Sequence, residues 1–127
     1  MDAPHRSSMQ SLSDLERAVL EAIAAQSSEF AAALREQVSS AQVEARENTG
    51  AGFYTRLAIV GGSPTLGAPS PLGDIGADVE GIEHGMGFLL WLRDGVADTL
   101  EGYTYDDTTA GLELSALRYG NVGSRAR

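Results

Sequence analysis

A chain of 127 residues has room for one compact domain and little more. It carries 18 acidic residues against 9 basic ones, a formal net charge of −9, which excludes the basic footprint that sequence-independent binding to DNA or RNA requires. It has no cysteine, so disulfides, thiol catalysis and Cys-ligated zinc or iron–sulfur centres are excluded as well.

Met1–Gln10 holds one Arg and no apolar core, so it reads as a flexible tail and not as a secretory signal. Ser13 and Glu16 then have capping-box spacing, in which each side chain satisfies an orphan backbone N–H of the other residue. Leu12, Leu15, Val19 and Ile23 recur at helical spacing, widened by Leu20 and Ala24. Gln26–Ser27–Ser28 breaks the pattern, and either serine can cap a second helix whose stripe is Phe30, Leu34, Val38 and Ala41. A helical hairpin is predicted.

From Val43 the period changes to two. Val43, Ala45 and Glu47 alternate with Glu44, Arg46 and Asn48 in a weak, edge-like strand. After the Thr49–Gly52 turn comes a stronger strand, with Phe53, Thr55, Leu57 and Ile59 on one face and Tyr54, Arg56, Ala58 and Val60 on the other. Gly61 to Gly73 has three prolines and four glycines, so no regular element is expected there. A loop of that length is functional or disordered, and disorder is the expectation. Ile75, Ala77, Val79 and Gly81 alternate in a further short strand.

Gly87 to Tyr105 reads as a hairpin around Arg93–Asp94–Gly95. A two-residue Asp-Gly turn mixes the faces. A three-residue loop with Gly95 in the left-handed position sorts them better. It puts Phe88, Leu90, Leu92, Val96 and Leu100 on one face, with Asp98 the exception. Leu89, Trp91, Ala97, Thr99, Glu101, Tyr103 and Tyr105 fall on the other. Leu112 to Tyr119 is a predicted last strand, and residues 121–127 a tail. The expected architecture is an α+β domain over residues 11–120. Its N-terminal helical hairpin packs on one face of a mostly antiparallel sheet of four to six strands.

Gly50–Ala51–Gly52–Phe53–Tyr54–Thr55, His84–Gly85–Met86–Gly87–Phe88, Asp94–Gly95 and Leu100–Glu101–Gly102–Tyr103–Thr104–Tyr105 together resemble a group of small bacterial proteins of unknown function. These share a GxGF(F/Y)T strand and an HGxGF…DG…LEGYTY hairpin. The resemblance covers roughly residues 45–106. It implies no activity and carries over no functional residue. All nine basic residues are Arg, which with abundant Ala and Gly points to coding bias in a GC-rich bacterial genome.

Familiar devices for chemistry are missing. Gly61–Gly62–Ser63–Pro64 is not followed by Gly-Lys-Ser/Thr, so it is no P-loop. No dinucleotide fingerprint opens a helix, and neither Ser63 nor Ser70 sits in a nucleophile elbow. Asp106–Asp107 lacks EF-hand spacing and reads as a solvated acidic turn. No cofactor or metal is expected.

Two function classes remain. If the helices cover the Phe88/Leu90 face, then Trp91, Glu101, Tyr103 and Tyr105, joined by Tyr54 and Arg56, form an uncovered aromatic face of the kind used for association. This makes a non-enzymatic interaction protein, either a homodimer or a binder of a basic protein. The alternative is a small-molecule binder or enzyme. There His84 and Glu101 are the polar groups, Tyr103 and Arg56 orient the ligand, and Gly61–Gly73 is a lid. The helices lack the basic face that anionic lipid demands, and the longest apolar run is about five residues, so no membrane role is expected. The cytoplasm is the expected location by default.

Overall fold

The computed structural model describes residues 9–26 and 29–124. Helix α1 spans Asp14–Ala25 and α2 spans Ala31–Ser39. Six strands follow: β1 (Gln42–Asn48), β2 (Gly52–Ala58), β3 (Leu72–Val79), β4 (Ile82–Arg93), β5 (Val96–Thr104) and β6 (Tyr119–Ser124). They form one antiparallel sheet in the order β1-β2-β5-β4-β3-β6. The expected α+β architecture is therefore observed. The capping serines Ser27 and Ser28, and residues 1–8 and 125–127 of the two expected tails, lie outside the described residues.

The capping box forms as read. Glu16 N–H donates to Ser13 Oγ at 3.1 Å, and Ser13 N–H donates to Glu16 Oε1 at 2.7 Å. The apolar stripe of α1, with Leu15, Val19, Leu20, Ile23 and Ala24, is buried, as are Leu34 and Val38 of α2. Helix α1 packs over β3, β4 and β6, and α2 over β5. Beneath them lie Phe53, Leu57, Ile75, Ala77, Met86, Phe88, Leu90 and Leu100. Both helices thus cover the Phe88/Leu90 face, and the Trp91 face has no second layer among the described residues.

The central strands interlock through glycines. On the inner face Phe53, Gly102 and Phe88 lie in one cross-strand row, and the two phenyl rings meet edge to face above the glycine, 6.2 Å between centroids. A Cβ on Gly102 would stand 2.9 Å from Phe88 Cε2 and 3.1 Å from Phe53 Cε2. One residue along, on the outer face, the pattern inverts: Gly52, Tyr103 and Gly87 form a row, and the Tyr103 ring lies where a Gly87 Cβ would be. The Gly52–Phe53, Gly87–Phe88 and Gly102–Tyr103 dipeptides are thus one packing unit.

Four expectations are corrected. The β4–β5 turn has two residues, Asp94 and Gly95, both at positive φ, and a bulge at Asp98 brings Leu100 opposite Leu90. Ala97 consequently points inward, buried, with its N–H donating to the buried Gln37 Oε1 at 2.9 Å. A second bulge, at Glu44, leaves Val43 inward, turns Ala45 outward and sends Arg46 inward to Glu16. The 61–73 segment is packed: Leu66 is buried, Leu66 N–H donates to Gly95 O at 2.8 Å, and Gln37 Nε2 donates to Pro64 O at 2.7 Å. Leu72 and Gly73 already belong to β3. The secondary structure at the two described ends also differs from the expectation. Gln10 bridges Val43, the predicted last strand is a 3₁₀ turn at Leu114–Ala116, and residues 121–124 continue β6.

Beneath β1 and β2 the inner face is closed by charge. Arg46 grips Glu16 with two hydrogen bonds, 2.8 Å and 2.9 Å, and Thr55 Oγ1 donates to the same carboxylate at 2.7 Å. Burial pushes the Glu16 carboxyl up, but the Arg46 guanidinium, the Ser13 N–H and the Thr55 hydroxyl outweigh it and hold the group below its ordinary value.

Candidate functional site

Sheet register builds the outer face row by row. Trp91 pairs with Thr99, Thr99 with Arg56, and Arg56 with Ala45. In the next row Leu89 pairs with Glu101, Glu101 with Tyr54, and Tyr54 with Glu47. Side chains paired in this way project to one side of the sheet. Trp91, Glu101, Tyr54 and Arg56 are therefore brought together as the sequence suggested. Trp91 and Tyr54 are each 40% exposed, too much for core residues.

These rows enclose an open groove of about 670 Å³ lined by Glu44, Ala45, Glu47, Tyr54, Arg56, Trp91, Asp98, Thr99 and Glu101. Trp91 Nε1–H donates to Glu101 Oε1 at 2.9 Å, which fixes the indole on the groove wall. Asp98 makes a loose, exposed ion pair with Arg93 at 3.8 Å and accepts from Thr99 Oγ1 at 2.9 Å. Among the described residues the side chains of Glu44, Glu47 and Arg56 have no hydrogen-bond or ion-pair partner. The groove holds four carboxylates and one guanidinium. Its field therefore favours cations.

Tyr103 and Tyr105 lie outside the groove lining and form their own edge-to-face pair, 5.6 Å between centroids. The Tyr103 hydroxyl donates to Asp74 Oδ1 at 3.3 Å. Burial first, then the Tyr105 hydroxyl and the Asp74 carboxylate, push the Tyr103 hydroxyl well above the ordinary tyrosine range, so it stays a neutral donor.

His84 is placed apart from these residues. Its Nδ1 lies 3.1 Å from Asp107 Oδ2, which also accepts the His84 backbone N–H at 3.1 Å. It lines a different recess, with Asp78, Gly85 and Asn121. One ligand atom each from Glu83, His84 and Asp107 lies within 4.8 Å of the others, and all three side chains are exposed or half-buried. No residue of the 61–73 segment lines the Trp91 groove.

Glu44, Glu47, Asp98 and Thr99 are groove residues that the sequence reading did not select. Two of them, Glu44 and Asp98, are the bulge residues. The Glu44 bulge turns Glu47, which strict alternation from Val43 would send inward, to the outer face, and the bulge in β5 turns out Asp98 itself. The available signal was Asp98 itself, the single polar residue left on the apolar face in the chosen register.

A scan against protein-family models found no match, and neither did searches of the curated proteins and of the solved structures.

Proposed function

We propose that this protein is a non-enzymatic interaction protein that binds a positively charged partner protein on the uncovered face of its sheet. The observation that carries the reading is the exposed Trp91, pinned by Glu101 in a groove whose other charges are Glu44, Glu47, Asp98 and Arg56. An anchored aromatic surrounded by ionised groups combines buried apolar area with selective charge, as interface centres and rims do. Self-association through the same patch is disfavoured. A two-fold contact would bring four carboxylates of one copy against four of the other, with one arginine on each side to offset them.

The pocket alternative receives less support. It needs His84, Glu101 and Tyr103 to converge, whereas His84 meets Asp107, Glu101 meets Trp91 and Tyr103 meets Asp74.

Sedimentation equilibrium of the chain alone, followed by calorimetric titration with a short lysine- and arginine-containing peptide, tests the proposal. A monomer that binds the cationic peptide and releases it as salt rises is expected. A stable dimer in which Trp91 becomes buried, or no binding at low salt, would overturn it.

A further inference from the structure

We infer that the Trp91–Glu101 pair is a seat for an arginine side chain of the partner, an inference that rests on the reading of the outer face as a surface for a basic protein. The indole N–H is a donor with no accepting capacity, and here it is spent on Glu101 Oε1 at 2.9 Å. That bond holds the ring in one orientation. Because the acceptor is an anion, it also raises the electron density of the ring. Both effects strengthen attraction between the ring face and a cation. Among the described residues no arginine already occupies the ring, although Arg56 and Arg93 are near the groove.

The surrounding carboxylates extend the seat. Only one oxygen of Glu101 is used by a described residue, so the other remains an acceptor. Asp98 is held by Arg93 at 3.8 Å between exposed side chains, a contact worth little that an incoming guanidinium can replace. Glu44 and Glu47 stand on β1, across the groove. A planar guanidinium can lie on an indole and present its N–H groups to a carboxylate at the ring edge, which an ammonium cannot do in one pose. Arginine is therefore the cation this geometry selects. Arg56, in the same cross-strand row as Trp91 with Thr99 between them, repels a second cation and limits the seat to one side of the groove.

The test is a titration with a short neutral peptide carrying one arginine, and with the same peptide carrying citrulline, which keeps the shape and lacks the charge. Binding is read by calorimetry for the wild type, Trp91→Leu and Glu101→Gln. Glutamine can still accept the indole N–H, so Glu101→Gln removes charge and leaves the ring positioned. Wild type should prefer arginine over citrulline, and each variant should lose roughly two- to thirty-fold in affinity for the arginine peptide alone. Since Trp91 is the single tryptophan, its emission should change on saturation in the wild type. Binding that survives Trp91→Leu unchanged but is lost in Glu44→Gln/Glu47→Gln would overturn the seat and leave the basic-partner reading standing. Absence of binding by the arginine peptide and by more highly charged cationic peptides would overturn both.

Discussion

Trp91 and Glu101 are joined by a 2.9 Å hydrogen bond across the β4–β5 pair, on the diagonal, Glu101 lying opposite Leu89 and Trp91 opposite Thr99. The bond spans the two strands on the face that the helices do not cover. It gives a large aromatic side chain a fixed pose in solvent, where rotamer freedom would otherwise be retained.

That pose makes Trp91 a reporter of its own surroundings, being the single tryptophan of the chain. Caesium should quench its fluorescence more effectively than iodide at equal ionic strength, because the groove carboxylates concentrate cations and repel anions. In Glu44→Gln/Glu47→Gln the difference should shrink. Equal quenching by the two ions in the wild type would contradict an acidic environment around the indole.

Arg56 opposes cation binding, having no ionic partner among the described residues and sharing the groove. Arg56→Gln should therefore tighten binding of a cationic peptide, by up to roughly five-fold, the scale of one partly screened surface charge. A variant that weakens binding would show instead that Arg56 contacts the partner, and the electrostatic reading would have to be abandoned.

The buried Glu16–Arg46 pair sets a stability prediction. Arg46→Met leaves an uncompensated carboxylate beneath β1 and β2 and should cost about 3–5 kcal/mol. Replacing both partners by apolar residues should cost less than the sum of the single changes. Glu16 is held below its ordinary value of 4.5, so the unfolded chain takes up its proton first as pH falls. The contribution is complete above that value and is lost as pH drops through the folded-state value. Denaturant titrations across the acid range should show a shallower pH dependence for Glu16→Gln than for the wild type. Parallel profiles would refute the assignment.

The two helices, the buried strand faces and the sidedness of Trp91 were legible because each rests on local periodicity. Arg46 was not. Alternation from Val43 sends it outward, and only a carboxylate on α1, 30 residues earlier, gives it a reason to turn in through the Glu44 bulge. The hairpin tip failed similarly. Local sequence offers a two-residue or a three-residue loop, whereas the chain combines the shorter turn with a bulge at Asp98. Strand β6 was obscured by Gly120, Gly123 and the left-handed Asn121, which have low strand preference and are held there by pairing with β3. In the site, the aromatic members were readable from their spacing, while the acidic wall depended on both bulges.

The glycine–aromatic interlock can be tested by adding one methyl group. Gly102→Ala places a Cβ within about 3 Å of Phe88, Met86 and Phe53 and should destabilise the domain by roughly 1–3 kcal/mol. Gly120→Ala, with open space around its Cβ, should change stability by less than about 0.5 kcal/mol. Equal costs at the two positions would show that the central rows are not tightly packed.

The most direct measurement is a nuclear magnetic resonance titration of the labelled chain with a lysine- and arginine-containing peptide, following the lone indole N–H and the backbone amides. The account predicts saturable shifts at the Trp91 indole and at Glu47, Tyr54, Thr99 and Glu101, with α1 and α2 unmoved. Shifts confined to the helical side, or a spectrum unchanged at saturating peptide and low salt, would contradict it.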